Sequence, residues 1–204
     1  MPLRLSLVGD SIAWGQGAAR AEDRLAPRLA EGLARAGVET VTRVVAAPGA
    51  RSADLAAQAE RLLPWQPDVV VVVVGANDLT HRVPAAAAAA ALGGVVARLR
   101  TVAEVVVAPA PDLSTVPHVP PALRPAVRAA SERLRGRQVA AVRQAGGSVA
   151  DADGATTAAF HDDPALFSAD RFHPSSAGYA VIAAGLLPEV LEAADRVLGR
   201  RPAR

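Results

Sequence analysis

Residues 68–78 read DVVVVVVGAND: six consecutive valines, Val69 to Val74, running into Gly75-Ala76-Asn77-Asp78. Six β-branched residues without a polar interruption predict a strand over 68–74 buried on both faces, the habit of a central strand in a parallel sheet covered by helices. Upstream of it, Leu3 to Val8 reads as a first strand and 40–46 as a second. Residues 18–36 have a helical pattern, with Leu25, Leu29 and Leu33 four apart and Gly37 as the stop. Residues 52–63 read as a helix capped by Ser52 and stopped by Pro64. Downstream, 85–100 and 122–145 are helical, the latter entered through Pro120-Pro121. Residues 102–108 and 147–150 read as strands. Residues 175–198 form a last helix, with Pro188 as a candidate break.

Strands alternating with helices imply right-handed βαβ units, and five such strands imply an α/β fold built as a three-layer α/β/α sandwich. No internal repeat or linker divides the chain, so one domain over 1–204 is expected, with a basic, solvated tail at about 196–204. The longest irregular stretches are 109–121 and 152–171, and loops of that length in a compact domain often line a site. In open parallel sheets the site lies beyond the carboxyl ends of the strands.

Composition narrows the function. Aromatic residues make up 3% of the 204, so the core must be built from Ala, Val and Leu. All 22 basic residues are Arg, interleaved with 20 acids to a net charge of +2, which does not suit a nucleic-acid partner. The absence of Cys excludes disulfides, thiolate catalysis and Cys-based metal sites. The opening MPLRLSLVGD is too short and too quickly polar for a signal peptide or anchor, and the valine run is far below spanning length. The expectation is a soluble cytoplasmic protein with no membrane insertion.

Four short blocks carry chemistry. Gly9-Asp10-Ser11-Ile12 follows the first strand and leaves Ser11 near a helix N-terminus, whose free N–H groups favour a developing anion; the alternative is an ordinary turn with Ser as a cap. Ala47-Pro48-Gly49-Ala50 follows the second strand, where Gly49 lets a backbone N–H approach a ligand, or simply turns the chain. In Gly75-Ala76-Asn77-Asp78 the Asn77 amide is a neutral donor at the sheet edge, although Asn and Asp also serve turns there. In Asp170-Arg171-Phe172-His173-Pro174, Asp170 is placed to fix the tautomer of His173, leaving its other nitrogen as a base; the alternative is a helix-entry turn with a surface His. Each block follows the element that the fold requires, and all fall at one end of the sheet. Jointly they hold a nucleophile, a base, an orienting acid and three oxyanion donors, the inventory for acyl transfer.

GDSI, Gly49, GAND and DRFHP resemble the sequence blocks of the SGNH hydrolase family, the GDSL-type esterases and lipases, from Leu5 to about Tyr179. Ile12 departs from the usual Leu, and Ala76 from a bulkier residue. The resemblance implies a flavodoxin-like sheet of order 2-1-3-4-5. It also implies Ser11 as nucleophile, His173 as base and Asp170 as its partner. The oxyanion hole would come from the Ser11 N–H, the Gly49 N–H and the Asn77 side chain. The implied activity is a serine esterase acting on small carboxylic esters, a small-molecule partner, with no cofactor and no metal. An O-acyltransferase, a thioesterase or a carbohydrate deacetylase would use the same site. A flavodoxin-like, non-catalytic binding module would want a phosphate loop, but 10–18, DSIAWGQGA, has neither G-x-G-x-x-G nor a P-loop Lys.

The remaining polar and aromatic residues carry less. His81, His118 and His161 show no ligand spacing and read as exposed loop histidines. Asp10 and Asp78 read as loop-ordering hydrogen-bond partners. Trp14 is a candidate wall of an acyl pocket or a packing residue. Phe160, Phe167 and Phe172 either line the site or pack their own loop.

Overall fold

The computed structural model describes residues 1–151 and 154–200. Its sheet has five strands: β1 (Leu3–Gly9), β2 (Thr40–Val44), β3 (Val69–Val73), β4 (Glu104–Ala108) and β5 (Ser148–Val149). They lie in the order β2-β1-β3-β4-β5, every neighbouring pair parallel, as the family resemblance implies. The helices are α1 (Ser11–Trp14), α2 (Leu25–Arg35), α3 (Leu55–Leu62), α4 (Ala76–Thr80), α5 (Ala85–Leu99), α6 (Arg124–Gln144), α7 (Ala155–Asp162) and α8 (Ser176–Arg200).

The valine run accounts for the layering. Val69, Val71 and Val73 share one core with Leu3, Leu5 and Leu7 of β1, the leucines of α2, and Tyr179, Leu186 and Val190 of α8. Val70, Val72 and Val74 turn to the opposite core, against Leu55 and Leu62 of α3, Leu92, Val96 and Leu99 of α5, and Val142 of α6. Successive strand residues point to opposite faces, so a strand with no polar member requires helices on both sides. All six valines are buried, and each fully buried side chain of this size contributes about 1.5–3 kcal/mol.

Several boundaries differ from the sequence reading for identifiable reasons. Residues 18–24 do not join α2, which starts at Leu25. Their backbone is diverted to α8: Ala19 N–H donates to Ser176 Oγ, and Asp23 accepts from Ser176 Oγ, Arg20 and Arg28. Ser52 caps nothing. Its N–H and hydroxyl both donate to the buried Asp78, and α3 begins after a 3₁₀ turn, Ser52–Asp54. β4 starts two residues later than expected, because Val102 is exposed in the preceding turn. The stretch 152–171 is not wholly irregular, since α7 occupies part of it and buries Phe160.

α8 runs unbroken through Pro188. A proline removes one helical hydrogen bond, but Leu186 and Val190 on either side are buried against the sheet, which keeps the helix in place. α8 is, among the described residues, the one helix long and apolar enough to cross a bilayer; here its apolar face packs on α2 and β4. At its C-terminal end residues 198–200 are exposed, as expected of the tail, yet two of its arginines also make ion pairs. Arg196 and Arg200 both pair with the buried Glu104 at the N-terminal edge of β4. Burial works against that carboxylate, but Arg100 and Arg196 outweigh it and hold its pKa low. Residues 201–204, the rest of that tail, lie outside the described residues.

Candidate active site

β1 ends in Gly9 with φ +135°, and a Cβ there would stand 1.8 Å from the carbonyl oxygen of Val73. Only glycine lets β1 stay paired with β3 while the chain turns away. Gln58 of α3 fixes that turn from below: its Oε1 accepts from Gly9 N–H at 2.6 Å and its Nε2 donates to Gly9 O at 2.8 Å. Asp10 then caps α1, accepting Ile12 N–H at 2.9 Å. Tyr179, fully buried, donates its hydroxyl to Gln16 O at 2.7 Å and ties the far end of this turn to α8. Ser11, the first residue of α1, is thus clamped from three sides.

Asp10 is buried, with no partner for Oδ2 among the described residues. Burial pushes its pKa up to about 7; the Ile12 N–H opposes that rise and the nearby Asp78 adds to it. Asp78 itself accepts from Ser52, which ties the loop after β2 to the loop after β3.

The second turn precedes α8. Ser168 N–H donates to His173 O at 2.8 Å and closes the loop, and an isolated bridge joins Phe167 to Pro174. Asp170 Oδ1 accepts from the N–H groups of Phe172 and His173, each at 2.9 Å, and from Ser168 Oγ at 2.8 Å. Its Oδ2 meets His173 Nδ1 at 2.6 Å. Burial raises the Asp170 pKa, but the His173 ring, the two backbone N–H groups and the Ser168 hydroxyl together outweigh it and hold the carboxyl well below the usual range. With Nδ1–H given to Asp170, the network assigns the free lone pair to Nε2. That nitrogen lies 3.1 Å from Ser11 Oγ, across 162 residues of sequence. The arrangement can pass the hydroxyl proton from Ser11 to His173.

The other two sequence candidates sit in the adjoining loops. Ala47 N–H donates to Gly9 O, which brings the loop after β2 against the Ser11 turn. Gly49 is exposed, with φ +83° and open space where a Cβ would stand. Asn77 Nδ2 donates to Ala50 O at 3.0 Å. An amide nitrogen has two donors, so the second remains for a ligand.

A cavity beside Ser11 and His173 is walled by Ile12, Val73, Ala108, Phe160, Phe167 and Phe172. Both long stretches contribute, with Pro109, Leu113 and Val116 from the first and the phenylalanines from the second. The phenylalanines do both things weighed for them: Phe160 and Phe167 meet edge to face at 5.0 Å and also line the cavity. Trp14 is 43% exposed and forms no part of the wall. His118 and His161 are exposed and outside it, and His81 Nδ1 sits on Asn77 O. Among the described residues no cluster of three or more His, Asp or Glu is placed to hold a metal.

Sequence reasoning missed Gln58 and Ser168. Gln58 did leave a signal. It falls on the Leu55–Leu62 face of α3 at helical spacing, a polar residue among buried ones, and such a residue must find partners. Ser168 left none, because a loop serine two residues before an aspartate is commonplace.

Residues 7–181 match the model of the GDSL-like Lipase/Acylhydrolase family. The chain belongs to that family. This acylhydrolase-family chain is also 37% identical over 186 residues to a GDSL-like esterase of Mycobacterium tuberculosis; the match covers 89% of this chain and 59% of the relative. It thus spans about three fifths of that relative's length. Among solved structures it resembles Axe2, an acetylxylan esterase from Geobacillus stearothermophilus, at TM-score 0.69 and 21% identity, covering 92% of this chain and 94% of that one. It resembles LAE5, an alpha/beta hydrolase enzyme from the metagenome of Lake Arreo, Spain, at TM-score 0.70 and 20% identity, covering 93% and 96%. At those identities the two structures speak for the fold of this GDSL-like family member.

Proposed function

We propose that the protein is a serine esterase that hydrolyses carboxylic esters through an acyl-enzyme on Ser11. The observation that carries this reading is the unbroken line from Ser11 Oγ to His173 Nε2 at 3.1 Å and from His173 Nδ1 to Asp170 Oδ2 at 2.6 Å. Family membership and the curated relative's name as an esterase support it. A non-catalytic binding module gives no account of a buried serine aligned on an oriented imidazole.

In the first half-reaction Ser11 Oγ attacks the ester carbonyl carbon and its proton moves to His173 Nε2. The tetrahedral oxyanion is held by the N–H groups of Ser11 and Gly49 and by the free donor of Asn77. The bond to the alcohol oxygen breaks as His173 returns the proton to it. Water then attacks the acyl-enzyme, His173 takes and returns a proton in the same way, and the carboxylic acid leaves with the Ser11 hydroxyl restored. Asp170 stays ionised throughout, because its four hydrogen bonds favour the charged form.

The test is a panel of nitrophenyl esters of graded acyl length assayed beside Ser11→Ala. Hydrolysis by the natural chain, falling to near the uncatalysed rate in the variant, is the expected result. Equal hydrolysis by both proteins would remove Ser11 from the chemistry.

A further inference from the structure

The cavity that begins at Ser11 changes character along its length. Ser11 lies two residues beyond β1 and Asp151 two residues beyond β5, and both line the same cavity. With β3 and β4 between those strands, three strand spacings separate them, roughly 14 Å. The near part is aliphatic and aromatic; the far part is polar, formed by Arg135 of α6, Asp151, and Thr156 and Thr157 of α7. The cavity, partly open to solvent, offers about 110 Å³. An acetyl group would leave most of it empty.

The polar end has hydrogen-bonding capacity to spare. Arg135 donates through Nη2 to the backbone oxygen of Asp151, and a guanidinium has five N–H donors. Asp151 Oδ1 accepts from Thr156 N–H at 3.1 Å. Among the described residues no acid pairs with Arg135 and no base pairs with Asp151. Among the described residues, a donor-rich guanidinium and a carboxylate therefore line one space without a direct ion pair. A carboxylate placed there would gain from Arg135 and be repelled by Asp151. A hydroxyl suits both, accepting from one and donating to the other.

We infer that this cavity holds the acyl part of the substrate, and that it selects a medium-length acyl chain ending in a hydroxyl group seated among Arg135, Asp151, Thr156 and Thr157. The inference rests on the esterase reading above. The acyl part is assigned here because it stays bound through the acyl-enzyme stage, whereas the alcohol must depart once His173 has protonated it.

The experiment compares kcat/KM of the full chain for nitrophenyl esters of acetic, octanoic and ω-hydroxyoctanoic acids and for the nitrophenyl half-ester of suberic acid. Octanoate is expected to exceed acetate. The ω-hydroxy ester is expected to exceed octanoate by roughly tenfold, the worth of one net hydrogen bond, and to exceed the suberate. Arg135→Leu and Thr157→Val should each bring the hydroxy-to-octanoate ratio towards one. That ratio is read within each variant, so a general loss of activity cancels, and the near-isosteric Thr157→Val carries the test if Arg135→Leu does not fold. Ser11-dependent hydrolysis with octanoate or suberate equal to or better than the hydroxy ester overturns the inference and leaves the esterase reading standing. So does a ratio unchanged in the variants. No Ser11-dependent hydrolysis of any of the four esters overturns both.

Discussion

Two short turns meet at the serine, each built around an aspartate, and they use it in opposite ways. Asp10, in the turn after β1, is buried, leaves Oδ2 without a partner among the described residues, and is pushed up to about 7. Asp170, in the turn before α8, is partly exposed, satisfied by four hydrogen bonds and held low. The first is a neutral cap at ordinary acidic pH, and its work is to shape a helix start. The second is a fixed charge bonded to His173 Nδ1; in the mechanism proposed above it orients and stabilises the imidazolium. An aspartate one residue from Ser11 thus caps a helix, while one 159 positions away joins it through His173, so proximity in sequence is a poor guide to role.

The contrast can be broken at its most sensitive point with Asp170→Asn. The loss of charge and the reversal of the tautomer should lower kcat by about 10³–10⁴ on a nitrophenyl ester, by analogy with the same change in other triads. A loss under tenfold would show that the turn, and not the charge, positions His173. The same variant should lose the Asp170 share of the acid sensitivity of folding, while the share from Glu104 remains. A carboxyl whose folded pKa lies below its unfolded value stabilises the fold above that unfolded value and loses this as pH falls.

Asp10→Asn tests the other turn, with the opposite sign. The Asn oxygen can still accept from Ile12 N–H. Because the folded pKa of about 7 lies above the ordinary 3.8, the natural chain should lose stability as pH rises between those values, by on the order of a few kcal/mol. The variant should not. Urea midpoints measured across that range decide it, and parallel curves for the two proteins would contradict the assignment of Asp10 as a protonated cap.

Ser168→Ala is the gentlest probe. It removes one of the four donors to Asp170 and should cost about 1 kcal/mol, seen as a few-fold fall in kcat with the ester KM little changed. An effect as large as that of Asp170→Asn would mean that Ser168 sets the loop itself.

The sequence made the two turns legible to different depths. The valine core follows from an unbroken β-branched run, and the strand order from the resemblance of the four blocks to the SGNH family. Val69 to Val73 form the central strand, and Ser11, His173 and Asp170 meet at one end of the sheet. What escaped depends on contacts between distant segments. The helix expected at 18–24 is lost to Ser176, Ser52 is drawn from capping to Asp78, and α7 forms around the buried Phe160 without strong local propensity. Gln58 and Tyr179, which hold the Ser11 turn from opposite layers, make bonds spanning 49 and 163 residues. Local pattern carries no information about a partner that far away.

The central claim is that Ser11 is the nucleophile of this geometry. A fluorophosphonate should phosphonylate its hydroxyl, and mass spectrometry of the peptide around Asp10-Ser11-Ile12 reads the adduct directly. Modification at Ser11 alone, slowed by orders of magnitude in His173→Ala, is the predicted result. An unmodified Ser11, or an adduct on another residue, would contradict the account.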